Sequence, residues 1–126
     1  MKIRVYYEDT DTGGVVYHSK YLNFCERARS ELFFKEDLLP FEAQNEGFVV
    51  KSLSANFILP AKLGDILEVK SFILEQKRAS LKLKQEIFLK DKKIFEAKIT
   101  LVYLKNQKIA KIPRKFLEIL GKVEKI

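Results

Sequence analysis

The sequence predicts an α+β domain in which a single antiparallel sheet of about five strands covers one long helix. Three observations predict it. Apolar residues recur every three or four positions between Tyr17 and Lys35, four later runs between residues 48 and 104 read as strands, and short turn-forming clusters separate them.

The opening "KIRVYYE" alternates Ile3, Val5 and Tyr7 with Lys2, Arg4 and Tyr6, the pattern of a short strand. "DTDTGG" then punctuates the chain, because adjacent glycines tolerate backbone angles that other residues avoid. From Tyr17 to Lys35 the period changes: Tyr21, Phe24, Cys25, Ala28 and Leu32 form one stripe, with Glu26, Arg27, Arg29 and Glu31 on the other faces. That is an amphipathic helix of roughly five turns. Glu26 and Arg29, three residues apart, are expected to pair on its surface.

The strands follow. "FVVKSLSANFIL" (48–59) ends at Pro60, and "ILEVKSFILEQ" (66–76) comes after a Gly-Asp turn. In "ASLKLKQEIFLK" (79–90) one face carries Leu81, Leu83, Gln85, Ile87 and Leu89, and the other Lys82, Lys84, Glu86, Phe88 and Lys90. "DKK" (91–93) reads as a hairpin turn, "IFEAKITLVYL" (94–104) completes the meander, and residues 114–120 form a short terminal helix. Phe72, Phe88 and Val102 fall on the more polar sides of their strands. Covering them is the reason to expect a homo-oligomer, at minimum a symmetric dimer.

Composition bounds the function. A chain of 126 residues, 47% hydrophobic and 33% charged, is one domain (1–126) with material for a real core. No apolar run approaches a membrane span, and the N-terminus lacks an export signal. With Cys25 as the lone cysteine, the expectation is a cytoplasmic protein with no integral membrane association. The net charge of +7 is uneven: residues 1–61 hold 7 Lys/Arg against 9 Asp/Glu, and the remainder hold 17 against 8. A basic second half suits a polyanionic partner, although a solvated lysine surface explains it equally. Neither an RNP-like aromatic motif nor a helix-turn-helix pattern is present, so no nucleic-acid partner is expected.

The chemistry concentrates in "EDTDTGGVVYH", immediately before the helix. As a metal site it offers Glu8, Asp9 and Asp11, but it lacks the ligand ladder of a calcium loop, and no metal is expected. As a phosphate loop it lacks the Walker spacing, and its three acids repel phosphate. His18 suits a general acid or base, or a structural role through one hydrogen-bonded ring nitrogen, which is the commoner case. Cys25 sits on the apolar stripe, where a buried inert thiol is expected. What remains is a carboxylate, a flexible loop and a helix N-terminus. The free N–H groups of a first helical turn can hold an oxyanion, and a nearby carboxylate can attack a carbonyl or deprotonate water. An aspartate that merely caps a turn or the helix fits these residues as well.

"VYYEDTDTGGVVYHSKYLNFCERAR" closely resembles the signature of the small acyl-CoA thioesterases of the hotdog fold. It is most similar to the YbgC type associated with the Tol–Pal cell-envelope system, with the 4-hydroxybenzoyl-CoA thioesterases related. "NFILPAKLGDILEVKSFI", "KRASLKLKQEIF" and "AKIPRKF" extend the resemblance over essentially the whole chain.

The resemblance implies a five-stranded antiparallel sheet wrapped around one central helix, with dimers that commonly assemble into tetramers. It matches Asp11 to the family's catalytic carboxylate and the His18 N–H to the donor that polarises the thioester carbonyl. Val15, Val16 and Tyr17 would shape the acyl end of the cleft, and Tyr7 and the His18 side chain would assist. Lys77, Arg78 and Lys108 match basic positions that would grip the phosphates of coenzyme A, supplied by a neighbouring subunit. The implied reaction is acyl-CoA hydrolysis, part of lipid metabolism, without a cofactor, since coenzyme A is part of the substrate. A non-catalytic scaffold that binds acyl carrier protein or phospholipid-synthesis enzymes is the alternative.

Overall fold

The computed structural model describes residues 1–126. Its elements run β1 (Lys2–Arg4), a 3-10 turn (Tyr7–Asp9), α1 (His18–Phe34), β2 (Glu46–Phe57), β3 (Ile66–Gln76), β4 (Ser80–Leu89), β5 (Lys92–Lys105), β6 (Lys108–Ile109) and α2 (Arg114–Leu120). The helix period and the strand alternation thus place each main element to within a few residues. Three details differ. β1 stops at Arg4, because Asp9 turns the chain at Tyr6. The β4–β5 hairpin turns on Lys90 and Asp91, Lys90 adopting φ 57°, so Lys92 is already in the ladder opposite Leu89. β6 adds a two-residue sixth strand to β5.

The strands form one antiparallel sheet in the order β1-β3-β4-β5-β2. It curls around α1, the hotdog arrangement. Alternation decides the faces: Leu81, Leu83, Gln85 and Ile87 of β4, and Phe95, Ala97, Ile99, Leu101 and Tyr103 of β5, all point to the concave side and are buried. Tyr21, Phe24, Cys25, Ala28 and Phe33 of α1 complete the core, with Tyr21 stacked on Phe95 at 5.1 Å. Leu32 is only half-buried, and Phe33 takes its place against Phe116.

The two sheet edges differ. Both chain ends cap β3 beyond β1: Met1 bonds to Val69, and Glu124 and Ile126 bond to Ile73. β2, at the other edge, pairs only with β5. On the convex side, Phe72, Phe88 and Val102 are half-buried. Part of that cover is the chain's own, since the Lys70 ammonium lies 4.7 Å over the Phe88 ring. Lys84 and Lys93 are each within 3.6 Å of both Glu86 and Glu96 on the same face.

The expected Glu26–Arg29 pair does not form. Glu26 accepts from the Ser30 hydroxyl at 3.3 Å, whereas Arg29 turns inward and donates to Gln85 Oε1 at 2.9 Å. Gln85 is 0% exposed, and its amide donates to Cys25 O (3.0 Å) and Ser71 Oγ (2.9 Å). A core amide with its oxygen and both N–H groups satisfied pins α1 to β3 and β4. Gln85→Leu removes all three bonds and strands the Arg29 donors, so we expect a loss of about 2–4 kcal/mol in denaturant unfolding.

Cys25 is fully buried, and burial pushes its thiol up to about 12. At pH 8 a thiol reagent should therefore label the native protein only at the rate of its opening, and at once in denaturant.

Candidate active site

The loop before α1 folds back as a narrow ladder. Tyr17 N–H donates to Asp9 O, Thr10 bridges Val16, and Asp11 N–H donates to Val15 O, the two bonds measuring 2.9 Å each. Asp11 to Gly14 close the tip with a Gly14 N–H to Asp11 O bond of 3.1 Å. Gly14 takes φ +81°, which a side chain would strain. The ladder is anchored behind by Val16 N–H to Ala61 O and by a Val15–Lys62 bridge.

The acids of this loop have different surroundings. Glu8 is exposed. Asp9 is 2% exposed: Oδ2 accepts from Tyr6 N–H at 2.9 Å, and Oδ1 has no partner in the chain. Asp11 is exposed at the tip, where Oδ1 accepts from Gly13 N–H (2.8 Å) and Val15 N–H (3.4 Å). Its carboxylate is therefore held by its own turn through one oxygen, and Oδ2 makes no bond within the chain. Turn-capping and a chemical role, which the sequence leaves as alternatives, are compatible in this geometry.

α1 begins at His18 with Tyr17 as its cap, without a capping side chain or an acid in the first turn. Lys20 N–H bonds back to Tyr17 O, while the His18 and Ser19 N–H groups have no acceptor in the chain. Two amides at the positive end of a 17-residue helix are thus free for a ligand oxygen. Beside them lies a cleft of about 280 Å³ lined by Val16, His18, Tyr21, Phe57, Ile58, Leu59 and Pro60.

Of the residues singled out by sequence, Val16 and His18 line this cleft. The His18 imidazole makes no hydrogen bond in the chain, contrary to the structural role expected of it. Its ring rests 4.3 Å from Tyr17 and 6.5 Å from Phe57. Tyr17 caps the helix with its side chain exposed, and Val15 is half-buried in its bridge to Lys62. Tyr7 is 81% exposed, and only its carbonyl is engaged, by Thr10. Lys77, Arg78 and Lys108 stand at the other end of the sheet. Lys77 pairs with Glu75 at 3.3 Å, Arg78 O accepts from Ile112 N–H, and Lys108 lies in the β5–β6 hairpin. His18 neighbours Phe57, which pairs with Phe95, whereas the β3–β4 tip bonds to Tyr103. Those two positions on β5 are roughly 27 Å apart at the usual strand rise.

Sequence reasoning missed Tyr21 and the Phe57–Pro60 segment. The Tyr21 hydroxyl accepts from Ala61 N–H at 3.0 Å, and burial raises its phenol above the ordinary value. Pro60 at the end of an apolar run was the available signal, since a proline closing a strand marks a bend where side chains leave the ladder.

Residues 13–96 match the model of the thioesterase superfamily. The chain is 42% identical over 134 aligned residues to a protein of Helicobacter pylori (strain J99) named acyl-CoA thioesterase YbgC, covering 98% of this chain and 100% of that one. It is 31% identical to a protein of Aquifex aeolicus named as an esterase, with 93% of each covered. Among solved structures, a Bartonella henselae protein described as a probable thioesterase superposes with a TM-score of 0.84 at 31% identity, covering 90% and 97% of the two chains. A hypothetical protein of Aquifex aeolicus superposes with 0.88 at 26% identity, covering 95% and 97%. The matched stretch begins inside the loop that carries Asp11 and runs through the free helix start, Phe57 and most of the sheet; the chain belongs to the thioesterase superfamily, as a thioester hydrolase of the hotdog fold and YbgC type.

Proposed function

We propose that the protein hydrolyses acyl-CoA to a free acid and coenzyme A. The observation that carries this reading is the pair of unpartnered amides at His18 and Ser19, with His18 lining an apolar cleft and the Asp11 loop laddered onto the same helix start. The thioester carbonyl oxygen takes the His18 N–H, where the helix dipole favours the charge that grows as the carbon becomes tetrahedral. Asp11 Oδ2 attacks that carbon, or takes a proton from the water that does. In the first route a mixed anhydride forms as the coenzyme A thiolate leaves, and water then cleaves it. Single-turnover hydrolysis in heavy-oxygen water separates the routes, because only the anhydride route places label in Asp11. No step calls on a metal or other cofactor, and Glu8, Asp9 and Asp11 do not converge into a cluster.

The reading needs a second copy. Antiparallel pairing of β2 edges sets the Glu46 end of one protomer beside the Phe57 end of the other. Lys77, Arg78 and Lys108 then approach the partner's His18, which they cannot reach in their own chain. Such dimers would pair further into tetramers. The lysine-rich end also suits an acidic acyl carrier protein as donor of the acyl group. No helix is long and apolar enough to cross a membrane. On the lone, buried thiol of Cys25, which suits a reducing compartment, we place the enzyme in the cytoplasm, and on the family resemblance in lipid metabolism.

The test is purified protein against a series of acyl-CoAs from short to long chain. Turnover above the rate of buffer is expected. Absence of turnover with tight binding of acyl carrier protein would instead favour a scaffold.

A further inference from the structure

A second cavity, of about 360 Å³, lies between α1 and β2, and its size is that of a small-molecule site. Its walls are mostly apolar, with Phe33, Phe48, Val50, Leu83 and Leu101 among them. Into it projects Arg29, which lines the cavity, has no carboxylate within ion-pair distance in the chain, and spends one of its five N–H donors on Gln85. Partial burial of a guanidinium among apolar side chains is costly, and desolvation accordingly lowers its proton affinity. An acceptor on a ligand would recover that cost.

The cavity and the His18 cleft share no lining residue, and an exposed strip of α1 and β2 lies between them. His18, Leu22, Glu26 and Arg29 fall on one face of α1 by helical spacing. Facing them, Phe57, Leu53 and Val50 share the concave side of β2, and they remain 54%, 44% and 46% exposed because α1 packs on the middle of the sheet instead. A chain laid along that strip would join the two into one groove, and from the free amides to Arg29 it would cover roughly 16 Å by helical rise. An extended acyl chain held at His18 covers that distance with about twelve or thirteen carbons at standard bond lengths.

We infer that this groove takes the acyl chain and that Arg29 selects chains bearing a neutral oxygen, hydroxyl or oxo, near the far end. A carboxylate fits less well, because Glu26 and Glu46 also line the cavity. This inference rests on the acyl-CoA reading above and adds the substrate class to it.

The experiment compares 12-hydroxydodecanoyl-CoA with dodecanoyl-CoA on the wild-type enzyme and on Arg29→Met. A wild-type preference in kcat/KM of tenfold or more for the hydroxylated chain is expected, as a hydrogen bond to a charged donor gives. In Arg29→Met the preference should fall to near unity. Equal wild-type rates on the two chains, or no turnover of either beside turnover of shorter acyl-CoAs, overturn the inference while leaving the acyl-CoA reading intact; no turnover across the whole chain-length series overturns that reading itself. Equal loss on both chains in Arg29→Met assigns Arg29 to structure and also overturns the inference. Should that variant not fold, the wild type still decides: 12-hydroxydodecanoate must compete at least tenfold more tightly than dodecanoate.

Discussion

Asp11→Asn is expected to lower turnover of acyl-CoA by about three orders of magnitude or more, with the melting temperature nearly unchanged. The geometry makes this substitution specific. Asparagine keeps an Oδ1 to accept from Gly13 and Val15 N–H, so the turn survives, and only Oδ2 is exchanged for an amide group that can neither attack nor take a proton. A general base is worth roughly 10²–10⁴ in rate, and removal of a nucleophile costs more. Asp11→Ala loses the turn as well, so it should match the rate loss and add about 1 kcal/mol of instability at a capped turn. Steady-state rates with thermal melts on both variants check the result. Near-normal turnover in Asp11→Asn would remove the carboxylate from the chemistry and leave it as a turn cap.

The second large effect is a complementation. Reversing the charge of Lys77, Arg78 and Lys108 together should raise KM for acyl-CoA by tenfold or more with kcat less affected, because charge-assisted phosphate contacts bind substrate and transition state alike. Since these residues lie at the far end of their own sheet from His18, each site would draw them from the partner. Mixing the triple variant with Asp11→Asn under conditions of subunit exchange should then restore activity at low substrate. Hybrids carry one site with every defect and one with none, so statistical mixing recovers about a quarter of the wild-type rate. Exchange without recovery would place both sets of residues in the same protomer's site, or the basic residues in no site.

The elements of this fold were legible because each announces a period. The stripe Tyr21, Phe24, Cys25, Ala28 recurs as a helix must, and Leu81, Leu83, Gln85, Ile87 as a strand must, so both were placed with their buried faces. Gln85 on that face was visible, but its partners were not, since Ser71, Cys25 and Arg29 come from three other places in the chain. The same long-range contact misled the reading of Arg29. At three-residue spacing Glu26 was the local candidate, yet a buried amide oxygen out-competes a surface carboxylate that water already solvates.

The site was half legible. Asp11, its glycines and the helix start are contiguous, so local chemistry marked the loop, while the choice of Asp11 within it came from the family resemblance. Phe57 to Pro60 became cleft walls only because β2 happens to end where α1 begins. Sequence by itself determined the secondary structure, the family and the loop that bears the carboxylate, because those depend on neighbours along the chain. Only the tertiary structure decided which oxygen of Asp11 is free, that Arg29 faces a cavity, and that the basic residues stand a sheet's length from His18. Those are distances across the sheet, set by how strands pair and which edge stays open, and no interval of sequence encodes them.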